Sequence, residues 1–377
     1  MDGGRTSPAL FRPLDLGPLR LGNRIVVAPM CQYSAEDGSA TDWHMMHLGA
    51  LALSGAGMLT IEATAVEPAG RITARDLGLY SDGNEAALAR VVNAIRVHSQ
   101  IPVAVQLGHA GRKASSDLPW NGGAQIAPED PAGWRAVAPS ALSHGPGEVE
   151  PHALEEAGLA RVRDAFVAAA RRAVRIGING IELHGAHGYL LHEFLSPISN
   201  RRDDAYGGDL DGRMRFPLEV FEAVRAAVPA EVPVWMRLSA SDWVEGGWDI
   251  DGTVALSKEL EARGAAAIHV SSGGVSPDQK IEVGPGYQVH FAEAVTAAVD
   301  IPVIAVGMIT EAQQAEEIVA SGKADAIALA RAILYDPRWP WHAAATLGAT
   351  VAAPPQYWRC QPHGLKHLFD QAEHGQR

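Results

Sequence analysis

The chain has 377 residues, of which 47% are hydrophobic and 20% charged, a balance typical of a folded globular protein. Its 31 basic and 44 acidic residues give a net charge of −13, which argues against binding to nucleic acid or to an anionic membrane surface. The two cysteines, Cys31 and Cys360, favour a reducing compartment over a disulfide framework. No apolar run approaches the ~18 residues of a membrane span, and the N-terminal residues lack the apolar core of a signal peptide, so we expect a cytoplasmic protein.

Short apolar segments rich in β-branched residues recur along the chain. Residues 10–23 contain the prolines and glycines of a capping turn or short hairpin. Eight buried strands are then predicted, at 24–30, 58–66, 102–107, 180–184, 233–239, 266–271, 302–306 and 325–330. Helical patterns lie between them, at 84–99, 154–176, 213–228, 251–263, 288–299 and 311–321.

This alternation predicts a single α/β domain over residues 1–377, a (β/α)8 TIM barrel, because unbroken apolar strands are buried on both faces. A doubly wound sheet is the main alternative, and it is disfavoured because no Gly-rich fingerprint follows the first strand. Two segments depart from the alternation. Residues 112–151, with Trp120 and Trp134, are predicted to form an excursion over the barrel mouth after strand 3, and residues 351–377 a C-terminal arm.

The end of the fourth predicted strand carries an unusual set of side chains. His184 and His187 are three residues apart and cannot share one face of a straight strand, so the chain must turn between them, as Gly185 and Gly188 allow. Tyr189 leaves the same corner. Two imidazoles and a phenol at this point could donate hydrogen bonds to one small oxygen, polarise a carbonyl group and deliver a proton.

Other interpretations of this corner stay open at the level of the sequence. His184 and His187 could ligate a metal ion in a barrel hydrolase or lyase, although only Glu182 lies near them as a further candidate ligand. His192 is expected to be an ordinary hydrogen-bonding residue.

Polar side chains also recur at the ends of the other predicted strands. In a barrel all those ends meet on one face, where active sites lie. The residues concerned are Cys31, Gln32, Tyr33, Thr64, Gln106, His109, His184, His187, Arg237, Ser271 and Ser272.

Over essentially its whole length the chain resembles the old yellow enzyme family of FMN-dependent ene-reductases, and within it the thermophilic-like class, close to xenobiotic reductases. The resemblance rests on PLDLGPLRLGNRIVVAPMCQYSAEDG from Pro13, IEATAV from Ile61, QLGHAGRKA from Gln106, IELHGAHGYLLHEFLSPISNRRDDAYGG from Ile181, VGMIT from Val306, LARAILYDP from Leu329 and PPQYWR from Pro354. One departure is Asp211-Gly212-Arg213, where the family usually has an acidic residue, Asn and Arg, which puts a local loop contact in question.

The resemblance implies a tightly and non-covalently bound FMN. Gln106 can pair with the pyrimidine edge of a flavin, and Arg237 places a positive charge where a reduced flavin is negative, although Arg237 could also be a structural ion pair in the barrel. Cys31 is expected to adjust the flavin's potential rather than to act as a nucleophile. The implied FMN-binding residues are Ala28, Pro29, Met30, Cys31, Ala63, Gln106 and Arg237 around the ring, and Gly307, Met308, Ala330 and Arg331 around the phosphate.

The resemblance further implies ping-pong reduction of activated alkenes, namely enones, enals and maleimides, with nitro compounds as a further candidate class, and with NADPH as reductant. His184 and His187 would hold the substrate oxygen, Tyr189 would protonate carbon, and Tyr33 would contact the substrate. Trp358 and Arg359 would reach the pocket of a neighbouring subunit in a homodimer or homotetramer. A non-catalytic flavin-binding redox sensor is the other alternative, and the retained tyrosine and histidines argue against it.

Overall fold

In the computed structural model, which describes residues 7–370 and 372, short strands alternate with helices. The strands are β1 (Leu14–Leu16), β2 (Leu19–Leu21), β3 (Ile25–Val27), β4 (Met58–Ala65), β5 (Val103–Gly108), β6 (Val137–Ala138), β7 (His152–Ala153), β8 (Gly180–Gly185), β9 (Val234–Ser239), β10 (Ile268–Ser271), β11 (Val303–Val306) and β12 (Ala326–Leu329). The helices are α1 (Asp42–Ala52), α2 (Asp82–His98), α3 (Glu156–Arg175), α4 (Leu190–Leu195), α5 (Leu210–Ala227), α6 (Ile250–Ala262), α7 (Val289–Thr296), α8 (Ala312–Ala320), α9 (Arg331–Tyr335) and α10 (Trp339–Leu347).

Eight parallel strands close into a barrel in chain order, from β3, β4 and β5 through β8 to β12, which pairs with β3. Every residue of these strands is buried except the half-buried Ala63, as expected for strands covered on both faces. The predicted (β/α)8 barrel is therefore confirmed, and each of the eight predicted strands overlaps an observed one. The first is shorter than predicted, because Pro29 has no N–H to donate and the chain leaves the sheet after Val27.

The six predicted helices are present as α2, α3, α5, α6, α7 and α8. Four further helices, α1, α4, α9 and α10, were not indicated by the hydrophobic pattern. Helix α1 mixes histidine and methionine on all sides, and its start is fixed instead by a local contact in which Thr41 N–H donates to His44 Nδ1 at 3.0 Å. Within the described residues no helix has the length and apolar character needed to cross a membrane.

The family departure at Gly212 has a local explanation in α5. Asp209 caps this helix by accepting a hydrogen bond from Gly212 N at 2.9 Å. A Cβ at position 212 would collide with the carbonyl oxygen of Gly207, so a side chain here requires a different approach to the helix. These contacts of Gly212 all lie at the start of α5.

The predicted N-terminal hairpin is confirmed as the antiparallel pair β1 and β2. Leu16 and Leu21 of the hairpin pack in one buried cluster with Met58 and Trp235, which face the interior near the amino ends of their strands. This apolar plug closes the base of the barrel. The opposite end, where the strands finish, is the one open to ligands.

The excursion between β5 and α3 is ordered by contacts with the barrel mouth. Arg112 is buried and donates to the carbonyl oxygens of Ser143 at 3.1 Å and Val275 at 2.5 Å. Trp134 donates from Nε1 to Ala69 O at 3.1 Å. Trp120, in contrast, is 65% exposed, so only one of the two tryptophans is used to fix the segment.

The C-terminal arm starts by packing on its own barrel. Residues Pro355–Cys360 form a 3-10 turn, in which the ring of Tyr357 lies 5.8 Å from that of Trp341. The guanidinium of Arg338 stacks on both rings, at 4.5 Å from Trp341 and 4.9 Å from Tyr357. The predicted arm is thus present, and its residues 371 and 373–377 lie outside the described part of the chain.

Candidate active site

The corner that follows β8 is built on two residues with left-handed backbone. His187 has φ of 59° and Gly188 has φ of 72°. A Cβ at Gly188 would collide with Gly274 O, so both conformation and close packing require glycine there. Gly185 does not form part of the turn as predicted. It is the last residue of β8, where an added Cβ would lie 2.8 Å from Met236 Sδ, so glycine is required there by close packing.

The turn brings the three aromatic side chains together. The ring centroids of His184 and His187 are 5.1 Å apart and the planes are almost perpendicular, at 87°. The ring of Tyr189 lies 4.9 Å from that of His184, at 81°. The structure therefore gathers the predicted His184, His187 and Tyr189 at one point of the barrel mouth.

Burial makes both histidines neutral hydrogen-bond donors. It lowers the pKa of His184 and of His187 well below the ordinary value, and the nearby charge of Arg237 acts in the same direction. Ala186 N–H donates to His184 Nδ1 at 3.4 Å, which places the proton of that imidazole on Nε2. His187 Nε2 is 2.7 Å from Ser271 Oγ, and when Ser271 donates, His187 keeps its proton on Nδ1.

Tyr189 is suited to hold a proton. Burial, followed by the charges that Cys31 and Tyr33 would carry, raises the pKa of the Tyr189 phenol well above its ordinary value. The ammonium group of Lys113 lies 5.1 Å from the centroid of the Tyr189 ring. A cation at this distance stabilises negative charge on the ring, and so eases the loss of the phenolic proton when a substrate accepts it.

Lys113 also fixes the left-handed turn. Its Nζ donates to His187 O at 2.9 Å and to Gly274 O at 3.1 Å, and burial lowers its pKa to about 8. Ser239 Oγ accepts from His187 N at 2.9 Å. The sequence patterns do not indicate these two supporting residues, although Lys113 lies within the family-like segment QLGHAGRKA.

A buried pair beneath the turn gives His192 the hydrogen-bonding role expected from the sequence. His192 Nδ1 accepts from Gly188 N at 2.8 Å, and Nε2 lies 2.9 Å from Asp242 Oδ1, with both side chains fully buried. Burial alone would raise the pKa of Asp242, but His192 and the donors Ser196 Oγ and Trp248 N lower it below its ordinary value. Asp242 is therefore an ionised carboxylate, and it lies against the imidazole of His192, which in turn binds the backbone of Gly188.

A large cavity of about 790 Å³ extends from this corner along the carboxyl ends of β9 to β12, a size within the range of roughly 300–1,000 Å³ of small-molecule sites. Gly307 and Met308 directly follow β11, and Ala330 and Arg331 directly follow β12. The cavity thus contains these predicted phosphate-side residues together with Arg237 and His187.

The residues present fit a flavin. Arg237 is only 7% exposed, and its Nε has no hydrogen-bond partner among the described residues. A buried guanidinium N–H that faces a cavity requires an acceptor, and the N1 and O2 positions of an isoalloxazine provide one. Gln106 lies inside β5 and, like Arg237 in β9, faces the barrel interior rather than following its strand.

The remaining predicted ring contacts lie at the ends of β3 and β4. Ala28 to Cys31 follow β3, and Ala28 N donates to Leu329 O at 2.9 Å. Burial raises the pKa of the Cys31 thiol well above its ordinary value, and Asp76 and Glu62 add to this, so the group is a thiol rather than a nucleophilic thiolate. Ala63 lines a small cavity together with His184 and Tyr189.

Two groups of predicted residues behave differently from the others. Tyr33 has φ of 50° and stands edge-on to Trp120 at 5.9 Å, beside a cavity that also contains Lys113. Trp358 donates to Ala353 O at 3.0 Å, and Arg359 is exposed; the chain does not bring either of them to the cavities around its own corner. For the histidine pair, no third ligand completes a metal-binding cluster in the part of the chain that the structure describes.

Known proteins share this fold and sequence. A model of the "NADH:flavin oxidoreductase / NADH oxidase family" matches residues 9–349. An NADPH dehydrogenase of Geobacillus sp. (strain WCH70) is 41% identical over 352 residues, which cover 93% of this chain and 98% of that one. The chain therefore belongs to this family and is a flavin-dependent oxidoreductase, which removes the hydrolase and lyase alternative.

Solved structures agree with this assignment. The old yellow enzyme homologue from Zymomonas mobilis superimposes with a TM-score of 0.73 at 25% identity, over 92% of this chain and 94% of that chain. A 2-naphthoyl-CoA reductase complex gives a TM-score of 0.80 at 25% identity over 90% of this chain, but the match spans only 52% of the reductase chain. The resemblance to the old yellow enzyme family is therefore confirmed.

The support beneath the turn can be tested through stability. Asp242→Ala leaves the buried donors Ser196 Oγ and Trp248 N without their acceptor and removes the neighbour of His192, which should lower the free energy of unfolding by about 3 kcal/mol at pH 7. Because the pKa of Asp242 is depressed in the folded state, its contribution is present above the unfolded-state pKa and is lost as pH falls through the folded pKa. Urea unfolding at pH 7 measures the difference, with the exposed Asp251→Ala as the control; equal midpoints for the two variants would contradict this role.

Proposed function

We propose that this oxidoreductase uses FMN and NADPH to reduce the C=C bond of activated alkenes, namely enones, enals and maleimides, with nitro compounds as a further class. The observation that carries the proposal is the corner at which two neutral imidazoles and a protonated phenol meet beside the cavity of Arg237. Such a set of groups matches the needs of an electron-poor alkene, which gains negative charge on oxygen and a proton on carbon.

The cofactor is assigned to residues of this chain by their chemistry. When bound, FMN supplies two-electron hydride chemistry. Ala28, Pro29, Met30, Cys31, Ala63, Gln106 and Arg237 would hold the ring, and Gly307, Met308, Ala330 and Arg331 the phosphate. Binding would be tight and non-covalent; the Cys31 thiol is held protonated and is therefore no candidate for covalent attachment.

His184 and His187 would bind the oxygen of the substrate. As neutral N–H donors in a buried site, they would stabilise the negative charge that develops on this oxygen through hydrogen bonds, with no proton transfer from either imidazole. Tyr189 Oη would then pass its proton to the α-carbon, and Lys113 would stabilise the phenolate that remains until solvent returns the proton. Tyr33 would contact the substrate from the side of the excursion.

The reductant and the alkene would use the same pocket in turn. The family member named NADPH dehydrogenase supports NADPH in this role. A nicotinamide that enters and leaves the substrate pocket needs no dinucleotide-binding domain of its own, which agrees with the missing Gly-rich fingerprint after the first strand. The reaction would therefore follow a ping-pong order.

The decisive experiment separates the two half-reactions. Purified protein should show flavin absorbance that NADPH bleaches under anaerobic conditions and that 2-cyclohexenone or N-ethylmaleimide restores. Bleaching without restoration by any of these alkenes would instead favour a redox sensor, and absence of bound flavin would reject the proposal.

The first variant prediction concerns the oxygen-binding pair. His184→Ala combined with His187→Ala should retain FMN but slow enone-dependent reoxidation by on the order of 10²-fold or more, because both donors to the substrate oxygen are lost. Phenol titration, followed by the flavin spectrum, should show weakened binding in parallel. The control is His290→Ala, on α7 outside the corner. Unchanged turnover with flavin retained in the double variant would contradict the role.

The second variant prediction concerns proton transfer. Tyr189→Phe should slow enone-dependent reoxidation by about 10²-fold while leaving NADPH-dependent reduction nearly unchanged, because only the former places a proton on carbon. Stopped-flow absorbance measures the two rates separately. If both rates fell equally, Tyr189 would have a positional role instead.

The arm is proposed to act between subunits in a homodimer or homotetramer in the cytoplasm. Tyr357 is anchored by Arg338 and Trp341 on its own barrel, while Arg359 two residues later is exposed. An exposed arginine beyond an anchored aromatic side chain is of the type that docks on a partner. In this arrangement Trp358 and Arg359 would complete the substrate pocket of the neighbouring subunit.

Mixing two defective chains tests the exchange. If Arg359 acts in the neighbouring subunit, a hybrid dimer of Arg359→Ala and Tyr189→Phe chains has one site with both defects and one with neither. Activity of the exchanged mixture should then exceed that of both parents, as measured by alkene-dependent NADPH oxidation. No increase, despite demonstrated subunit exchange and a defect in each parent, would place the arm on its own subunit.

A further inference from the structure

A buried charged layer lies inside the barrel, between the apolar base and the mouth, and the proposed mechanism assigns no role to the carboxylate at its centre. Its centre is Glu182, which is 1% exposed. Gln106 Nε2 donates to Glu182 Oε1 at 2.7 Å, while Trp235 Nε1 and His269 Nδ1 donate to Oε2 at 2.7 and 2.8 Å. The parallel register explains why these side chains contact one another, because Glu182 of β8 is opposite Gln106 of β5 on one side and Trp235 of β9 on the other.

The Glu182 carboxylate is ionised despite its burial. Desolvation alone would raise its pKa, but the hydrogen bond from His269 Nδ1, the charge of Arg237 and the Trp235 N–H lower it below its ordinary value. Burial lowers the pKa of His269, which therefore acts as a neutral imidazole with its proton on Nδ1. The layer then contains one negative charge, on Glu182, and one positive charge, on Arg237.

The carboxylate determines how Gln106 can face a ligand. An ionised carboxylate only accepts hydrogen bonds, so Gln106 must turn its NH₂ group toward Glu182. The carbonyl oxygen of the amide is then left to accept a hydrogen bond elsewhere. The N3–H of a flavin is the donor that such an oxygen would pair with.

The same carboxylate acts on the charge of Arg237. Burial lowers the pKa of Arg237, whereas Glu182 is the foremost group that raises it. The Nε of Arg237 has no hydrogen-bond partner among the described residues, so Glu182 compensates the guanidinium charge without occupying this N–H. Arg237 can therefore still bind an acceptor, but with a weaker net field than an isolated guanidinium would produce.

We propose that Glu182 is a positioning residue for the flavin, which orients the amide of Gln106 and offsets the charge of Arg237, and thereby sets the affinity for FMN and its reduction potential. This inference rests on the proposed binding of FMN at the barrel mouth. It concerns the charged layer inside the barrel, whereas the proposed substrate binding and proton transfer belong to the corner at the barrel mouth.

The test replaces the charge without changing the shape. Glu182→Gln should shift the midpoint potential of the bound FMN to more positive values, because the uncompensated Arg237 stabilises the negative charge of the reduced flavin. An equilibrium shift of about tenfold corresponds to about 30 mV for a two-electron couple. FMN should also dissociate more readily, by about tenfold, since one amide oxygen cannot serve all three donors and Gln106 loses its fixed orientation.

Two further variants make the result specific. Glu193→Gln is the matched control, because Glu193 is also fully buried but accepts its hydrogen bond from Arg112 N, and burial raises its pKa to about 8. This substitution should leave the potential unchanged. Glu182→Asp keeps the charge and shortens the side chain, so it should retain the wild-type potential. Potentials are measured anaerobically against a reference dye, and FMN dissociation is measured by flavin fluorescence.

The outcomes decide whether Glu182 positions the flavin or only packs the barrel. A positive shift in Glu182→Gln, with both other variants at the wild-type potential, supports the proposal, and an unchanged or negative potential overturns it. If Glu182→Gln does not retain FMN, flavin binding by Glu182→Asp at the wild-type potential supports the requirement for charge. Loss of FMN from both Glu182 variants overturns the proposal, since the side chain would then serve barrel packing. Failure of the proposed function is distinguishable, because it would show in the wild-type protein, either as absence of FMN or as a bound flavin that alkenes do not reoxidise.

Discussion

A left-handed turn at the carboxyl end of β8 determines which side chains can meet at the barrel mouth. In an extended chain His184 and His187 would point to opposite faces, and Tyr189 would follow the latter away from the barrel. The positive φ of His187 is unfavourable for a residue with a side chain, so the surrounding structure must hold it. Lys113 and Ser239 bind its backbone directly, while His192 fixes the adjacent Gly188 from below. Elements distant in sequence thus support one turn.

The charges near this turn decide what its histidines can do. Arg237 and Lys113 make a positively charged imidazole costly, and burial adds to that cost. The imidazoles are consequently weak bases that stay neutral and act as hydrogen-bond donors, and any negative charge that develops beside them is stabilised by two cations as well. In the proposed mechanism, Tyr189 is then the group of the corner that holds a proton at neutral pH and would release it to carbon. The division of roles follows from electrostatics rather than from residue type alone.

The sequence permits prediction of the parts that depend on local pattern. All eight strands were visible as apolar runs, and the grouping of His184, His187 and Tyr189 followed from their spacing at one strand end. The supporting contacts could not be predicted in the same way, because Lys113 and His187 are 74 residues apart and meet only once the barrel has closed. The sequence also does not show which residues of the turn have left-handed backbone. The pattern favours Gly185 and Gly188, whereas the structure has His187 and Gly188 in this conformation. The flavin roles proposed for Gln106 and Arg237 come from the family resemblance, because no periodicity distinguishes these two residues from other interior polar residues.

The interior of the barrel shows how stability and chemistry are separated along one axis. Polar groups inside a barrel cost free energy unless each finds a partner, and Glu182 satisfies three donors at once. The apolar base formed by Leu16, Leu21 and Trp235 contributes hydrophobic burial that offsets the remaining cost. Trp235 belongs to both layers, because its ring packs in the base while its Nε1 donates to the carboxylate above. The charged layer is therefore anchored to the apolar base, and its hydrogen bond to Gln106 orients that amide before any ligand arrives.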